Sequence, residues 1–312
     1  RPDTKAVLKQ QGLLAPTVQM VYRRARLGVR SREAYLSGGA HPSVFRDSDI
    51  QLAQMVGLAN AITPEDIPPL VQLKVLEETE TTEGIDFFGQ GLSEKLFDTP
   101  AAIARVWRSY IGRREMVVSA ADTVDINGRD LTFDWVVLRG DHSKIRITPL
   151  TPDGRYAHIE MDWQEAQPAP GSPDILSSRI DIGVFANNGV YDSAPSFVSV
   201  LLPQHETRLY EEGPQGPRAL SIDRAAQKQV YSDPLIYPVT RWKDSYRYGS
   251  EGEISGWQRL RGKKEVTFDA KGQRLRKDEA FEPVRYDIRP NKRGLPVVFE
   301  EAATEAQDAG TQ

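Results

Sequence analysis

The chain has 312 residues, of which 39% are hydrophobic, and its 40 basic and 44 acidic side chains give a net charge of -4. This composition is typical of a folded protein long enough for two or three domains, and the near balance of charge disfavours nucleic acid as a partner. The chain has no cysteine, which excludes disulfides, thiolate nucleophiles and zinc–thiolate sites. No apolar run approaches the roughly 18 residues of a membrane-spanning helix, so no transmembrane segment is predicted.

Residues 1–112 are predicted to form an α-rich region. Apolar side chains recur at helical spacing from Thr17 to Val29, within a basic stretch that covers residues 1–36. This pattern favours a helix with a solvated basic face over a helix that docks on an acidic partner. Further helices are predicted over 49–62 and over 101–111, the second packed against the following domain through Trp107.

A loop that contains His41 separates the first two predicted helices, because Gly38, Gly39 and nearby prolines interrupt any helix there. A histidine on a loop can serve as a general acid or base near neutral pH. Asp47 and Asp49 follow closely and could orient the imidazole. The alternative is that His41 is a turn residue and that Asp47 caps the helix after it.

Residues 113–205 alternate between apolar and polar side chains, with Asn-Gly and Asp-Gly pairs at the breaks. A period of two with such breaks predicts antiparallel strands and tight turns, so we expect a β-sandwich. On the strand at 156–163, the carboxylates Glu160 and Asp162 are two residues apart and share a face with His158. Paired carboxylates can act in glycoside hydrolysis, although neighbouring positions on an exposed strand face are the simpler explanation.

The segment DINGRDLTFDW at 125–135 resembles a motif of the PKD and related immunoglobulin-like modules of exported bacterial proteins, and the likeness covers about 115–203. The resemblance implies a sandwich with Trp135 in its core, a periplasmic or extracellular location, and a role as a spacer or as a binder of carbohydrate or protein. Some such modules hold calcium near the acidic turn. The candidate calcium ligands are Asp122, Asp125, Asn127 and Asp130. Arg129 places a positive charge among them, which favours a purely structural turn.

Residues 206–300 are predicted to form a sheet of hairpins after a polar linker at 209–224, and 301–312 a flexible tail. Aromatic strands followed by glycine recur twenty residues apart and resemble the hairpin repeats of bacterial YD-type surface proteins. Aromatic side chains beside basic ones can stack on sugar rings, although cross-strand packing explains them at least as well. The candidate carbohydrate-binding residues are Trp242, Tyr246, Tyr248 and Trp257.

The sequence has no phosphate-binding glycine loop, dinucleotide fingerprint, zinc-protease helix or nucleophile elbow. The fold class predicted from these patterns is α+β, mainly β. The favoured function is a noncatalytic binding or assembly module whose partner is a polysaccharide or another envelope protein. The alternative is a carbohydrate-active hydrolase or lyase, or a fragment of one, with a site where the His41 loop meets the sandwich. The first residue, Arg1, suggests a mature chain after leader removal or an excised fragment.

Overall fold

A computed structural model describes residues 1–42, 44–170, 172–224, 233 and 236–302. The chain divides into two compact units. Unit 1 comprises 1–79, 95–105 and 114–202, and unit 2 comprises 80–94, 106–113 and the residues from 203 onward. The chain therefore enters unit 2 twice before its last third, whereas the sequence patterns predicted boundaries at 112 and 205. The flexible tail predicted at 301–312 lies almost entirely outside the described residues.

In its described residues, unit 1 combines four α-helices with eleven strands, which makes it mainly β. The helices are α1 Pro2–Gln10, α2 Leu14–Arg24, α3 Arg32–Tyr35 and α4 Leu52–Ala61. The strands are β1 Lys74–Glu78, β2 Lys95–Thr99, β3 Ala102–Val106, β4 Arg113–Ser119, β5 Thr132–Arg139, β6 Ile145–Pro149, β7 Tyr156–Asp162, β8 Gln167–Ala169, β9 Ser172–Ser177, β10 Arg179–Asn187 and β11 Ser196–Leu201.

The strands of unit 1 form a four-stranded sheet in the order β1-β4-β7-β6, a five-stranded sheet in the order β2-β3-β11-β10-β5, and a β8–β9 ribbon. Strand β7 shows how the alternating sequence selects a face. Ala157, Ile159 and Met161 are fully buried, whereas His158 and Glu160 between them are half-buried. The predicted antiparallel strands are thus confirmed for this part of the chain.

The helices of unit 1 cover one face of the five-stranded sheet. Met20 and Tyr35 from the helical region pack in one cluster with Leu138 of β5 and Phe185 of β10. The opposite face of β10 buries Ile182, so this strand is apolar on both faces. A strand covered on both faces tolerates little polarity, which explains its near-continuous hydrophobic sequence.

Unit 2 is built from consecutive antiparallel hairpins. Its seven-stranded sheet follows chain order from β12 to β18, and a separate β19–β20 hairpin completes it. The hairpin sheet predicted for this region is therefore confirmed. The strands are β12 Thr207–Gly213, β13 Gly216–Asp223, β14 Lys243–Tyr248, β15 Ile254–Arg261, β16 Lys264–Asp269, β17 Arg274–Leu275, β18 Phe281–Glu282, β19 Val284–Pro290 and β20 Pro296–Ala302.

The helix predicted over 101–111 is wrong, because this segment begins with strand β3. Thr99 closes the β2–β3 turn by exchanging hydrogen bonds of 3.0 Å with Ala102. Arg105 is fully buried and its guanidinium binds Glu78 at 2.7 Å and Asp98 at 2.7 Å. These partners are remote in sequence or on the neighbouring strand, so the local helical spacing of the apolar residues carried no information about them. Trp107 is buried as expected, but outside any helix.

Three further expectations need correction. The polar stretch 209–224 is not a linker, because Gly213 and Gly216 form the turn of the β12–β13 hairpin. The proline-rich stretch 164–174 contains the β8–β9 ribbon instead of a continuous irregular loop. Trp135 is half-buried instead of lying in the core, since β5 is an edge strand, and its indole Nε1 donates a 2.7 Å hydrogen bond to the carbonyl of Gly154.

Candidate functional site

His41 belongs to the core of unit 1, where it is 7% exposed. Its Nε2 donates to the carbonyl oxygen of Tyr35 at 2.6 Å, and its Nδ1 accepts from Nη1 of Arg23 at 3.2 Å. The rings of Tyr35 and Phe185 flank the imidazole at 5.2 Å. Burial, and then the charge of Arg23, lower the pKa of His41 to about 3. The imidazole is therefore neutral and both of its nitrogens are already engaged within the protein.

The contacts of the other predicted catalytic residues are with residues other than His41. Asp49 binds Nη2 of Arg26 at 3.2 Å, and Asp47 is exposed in a short 3₁₀ turn. The structure does place His158 and Glu160 on one face of β7, as the alternation predicts. His158 contacts Glu115 at 3.2 Å, and Glu160 contacts Arg146 at 3.4 Å. The described contacts thus do not gather the predicted catalytic residues into one cleft.

The predicted aromatic platform is mostly core. Trp242 and Trp257 are at most 1% exposed and Tyr246 is 7% exposed. Trp257 stacks on Phe268 at a centroid distance of 5.0 Å. Ring faces covered in this way cannot receive a sugar, so cross-strand packing is the correct interpretation for these three residues. Tyr248 differs because it is only half-buried.

Tyr248 lines a groove of about 250 Å³ within unit 2, which we call the tyrosine groove. Tyr110 lines the same groove, and one face of its ring is stacked on Tyr246 at 5.0 Å and 22°. The opposite face of Tyr110 is therefore the one that can meet a ligand. Arg218 lies 5.0 Å from the centre of the Tyr248 ring, and Glu253 adds a carboxylate to the lining.

Close backbone packing shapes one wall of the tyrosine groove. A Cβ atom on Gly112 would lie 2.0 Å from the carbonyl oxygen of Pro217, so only glycine lets this segment approach the β12–β13 hairpin. Sequence reasoning missed Tyr110, because it assigned this residue to a helical face. The available signal was Gly112 two residues later, since a glycine there favours a break in regular structure.

The predicted calcium ligands form a structural turn. Oδ1 of Asp125 accepts hydrogen bonds from the backbone N–H groups of Asn127 at 2.8 Å and Arg129 at 3.2 Å, and Oδ2 accepts from Asn188 at 2.9 Å. Asp125 is buried, whereas Asp122 and Asp130 are exposed. No group of three or more His, Asp or Glu side chains in the described residues is arranged to hold a metal ion. The turn interpretation therefore accounts for this motif.

A chain of buried ion pairs crosses unit 2. Asp244 sits between two guanidinium groups, with distances of 2.7 Å to Arg224 and 2.7 Å to Arg259. Burial is the largest single influence and lowers the pKa of Arg259, but Asp244, Tyr286 and Glu300 together outweigh it, so the net shift is upward. Alternating charges continue on both sides of this centre. In order, the chain is Arg208, Glu206, Arg224, Asp244, Arg259 and Glu300.

Comparison with known proteins found no match for this chain among family models or curated proteins. Among the described residues, none of the helices has the length and apolar character needed to cross a bilayer.

Proposed function

We propose that the chain is a noncatalytic binding or assembly module of an exported bacterial protein, and that the tyrosine groove binds a polysaccharide. The observation that carries the proposal is the pairing of Tyr110 and Tyr248 in one open groove beside Arg218 and Glu253. Ligand sites commonly combine aromatic faces with a few polar groups that fix orientation. Sugars present both an apolar ring face and hydroxyls, so this lining suits them.

The organisation of unit 1 supports the module part of the proposal. Antiparallel pairing of β5 with β10, β6 with β7 and β10 with β11 supports a PKD- or immunoglobulin-like sandwich for about 115–203, to which β1, β2 and β3 add strands from earlier in the chain. The Asp125 turn supports it as well, because its carboxylate organises the backbone of the acidic motif. The half-buried Trp135 departs from the core position that the resemblance implies. A periplasmic or extracellular location belongs to this proposal.

The geometry around His41 gives the hydrolase alternative no comparable support, since its two ring nitrogens are held by Tyr35 and Arg23. A general base must reach the proton that it abstracts, and a core imidazole cannot do so without local unfolding.

Retention of the protein on a panel of insoluble glycans tests the proposed function. We expect retention on at least one glycan and a loss of about two- to tenfold in affinity for Tyr110→Ala or Tyr248→Ala, because stacking on one ring contributes about 0.5–1.5 kcal/mol. The matched control is Phe281→Ala, which removes an exposed aromatic side chain of unit 2 outside the groove. Thermal melting of each variant establishes that it is folded. Binding to no glycan, or equal retention of the groove variants and the control, would refute the proposal.

A further inference from the structure

A second cavity in unit 2, of about 40 Å³, gathers polar side chains from distant parts of the chain. Arg108, His205 and Tyr237 line it, together with Asp86, Glu206 and Arg224. All of these residues belong to unit 2. We call this cavity the Arg108 pocket. Its size suits a group of a few heavy atoms and not a whole sugar ring or nucleotide.

Three of the lining side chains have polar atoms without a hydrogen-bond or ion-pair partner among the described residues, namely the Nη atoms of Arg108, the ring nitrogens of His205 and the hydroxyl of Tyr237. The Nε of Arg108 donates to the carbonyl of Ser93 at 3.0 Å, but no described carboxylate lies within ion-pair distance of its guanidinium. His205 packs edge-on against Tyr237 at 5.0 Å, and within the described part of the chain neither imidazole nitrogen nor the tyrosine hydroxyl has a hydrogen-bond partner. Partly buried polar groups normally have partners, so these three side chains are the candidates in this pocket for contacts with a ligand.

The protonation states of these three residues define what they can offer. Burial lowers the pKa of His205, so its ring is neutral near pH 7 and presents one donor nitrogen. Burial raises the pKa of Tyr237 to about 12, so its hydroxyl keeps its proton. Arg108 keeps its charge even though burial lowers its pKa. The three residues together therefore offer mainly hydrogen-bond donors and one positive charge.

The remaining charges of the lining are committed elsewhere. Glu206 binds Arg208 at 2.7 Å and Arg224 at 3.2 Å, and Asp86 accepts a 2.8 Å hydrogen bond from the backbone of Thr82. Among the described residues of the lining, Arg108 is the cation without an ion pair, and one guanidinium can balance a single negative charge. A planar acceptor with one negative charge also matches the fork of a guanidinium. A carboxylate meets all of these conditions.

We propose that the Arg108 pocket binds the carboxylate group of a small or polymeric ligand. The carboxylate oxygens accept hydrogen bonds from the Nη atoms of Arg108, the hydroxyl of Tyr237 and the protonated nitrogen of His205. The inference is independent of the tyrosine groove and adds a separate site of different chemistry to the same unit.

Titration of the isotope-labelled full chain, followed by NMR of the histidine rings, tests this inference. The probes are acetate for a free carboxylate, glucuronate for a carboxylate carried by a sugar, the methyl ester of glucuronate as its neutral counterpart, and inorganic phosphate. All titrations are run at constant ionic strength. We expect a saturable shift of the His205 signals with acetate, glucuronate or both, and none with the ester.

Two variants connect the signal to the pocket. Arg108→Gln should weaken carboxylate binding roughly ten- to hundredfold, as expected for loss of a charge-assisted hydrogen bond. Tyr237→Phe keeps the ring beside His205 and should weaken it by a smaller factor. Arg289→Gln, which changes an arginine that is 52% exposed, should leave the affinity unchanged. A melting curve checks that each variant folds. No saturable shift with either carboxylate, tighter binding of phosphate, or equal affinity in Arg108→Gln would overturn the inference.

Discussion

The buried imidazole of His41 should make the stability of unit 1 depend on pH. The folded-state pKa of His41 is lowered to about 3, below its ordinary value of about 6.5. The unfolded chain therefore binds a proton over this interval that the folded chain does not bind, and stability falls as the pH drops below about 6.5. At 1.36 kcal/mol per pH unit, the loss between about pH 7 and about pH 5 amounts to about 2 kcal/mol.

Urea denaturation of the parent chain and of His41→Asn at several pH values isolates this contribution. The free energy of unfolding of the variant is subtracted from that of the parent at each pH. The subtraction removes the titration of other groups, including His205, whose pKa is also lowered by burial. We expect the difference to shrink by about 2 kcal/mol from about pH 7 to about pH 5.

His142→Asn serves as the control, because it removes an exposed imidazole from a short 3₁₀ turn and shows what loss of a surface histidine does to the same curve. A difference between parent and His41→Asn that stays constant over this pH range, or grows toward acid, would show that the imidazole is not held neutral by the core.

Three further predictions concern the packing, the ion pairs and the acidic turn. Gly38→Ala should destabilise unit 1 by about 2 kcal/mol or more, because its Cβ would lie 2.3 Å from a backbone carbonyl oxygen of β5. Thermal melting measures this loss, and Gly39→Ala should be tolerated in the same assay. Asp244→Ala should cost about 3–5 kcal/mol in urea denaturation, since it removes the carboxylate that two buried guanidinium groups share. Loss of an exposed carboxylate in Asp278→Ala should cost about 0–1 kcal/mol. Asp125→Ala should lower the free energy of unfolding by about 1–3 kcal/mol, and by the same amount with added calcium as with chelator. Stabilisation of the parent alone by calcium would contradict the turn interpretation.

The sequence correctly predicted the elements in which the local pattern of apolar and polar residues matches the burial of each side chain. On β7 the alternation of Ala157, Ile159 and Met161 with polar residues matches the buried and half-buried faces. Helix α4 lies within the predicted 49–62 segment. The segment at 101–111 failed because its decisive contacts are not local: Arg105 is buried only because Glu78 and Asp98 neutralise it. Local spacing cannot reveal such a pairing.

The aromatic residues of unit 2 show a second limit of sequence reasoning. Tyr246 and Tyr248 lie two apart on β14 and are chemically identical, yet one is 7% exposed in the core and the other lines the tyrosine groove. The difference depends on which neighbours cover each ring, and the Tyr110 segment enters unit 2 from more than a hundred residues earlier in the chain. Sequence could therefore identify an aromatic-rich sheet, but not the surface on which a ligand could stack.

The arginines of unit 2 show the same limit of sequence reasoning for charged residues. Arg208, Arg224 and Arg259 are buried arginines of unit 2, and each has a carboxylate partner. Removing a charge from such a pair is costly, so these arginines are explained by stability alone. Arg108 has no carboxylate within ion-pair distance among the described residues, and its guanidinium donates to the backbone carbonyl of Ser93. A count of 40 basic and 44 acidic side chains cannot separate these two kinds of arginine. Their separation requires the pairing in three dimensions, and that pairing is why a carboxylate ligand is sought at this residue and not at its buried neighbours.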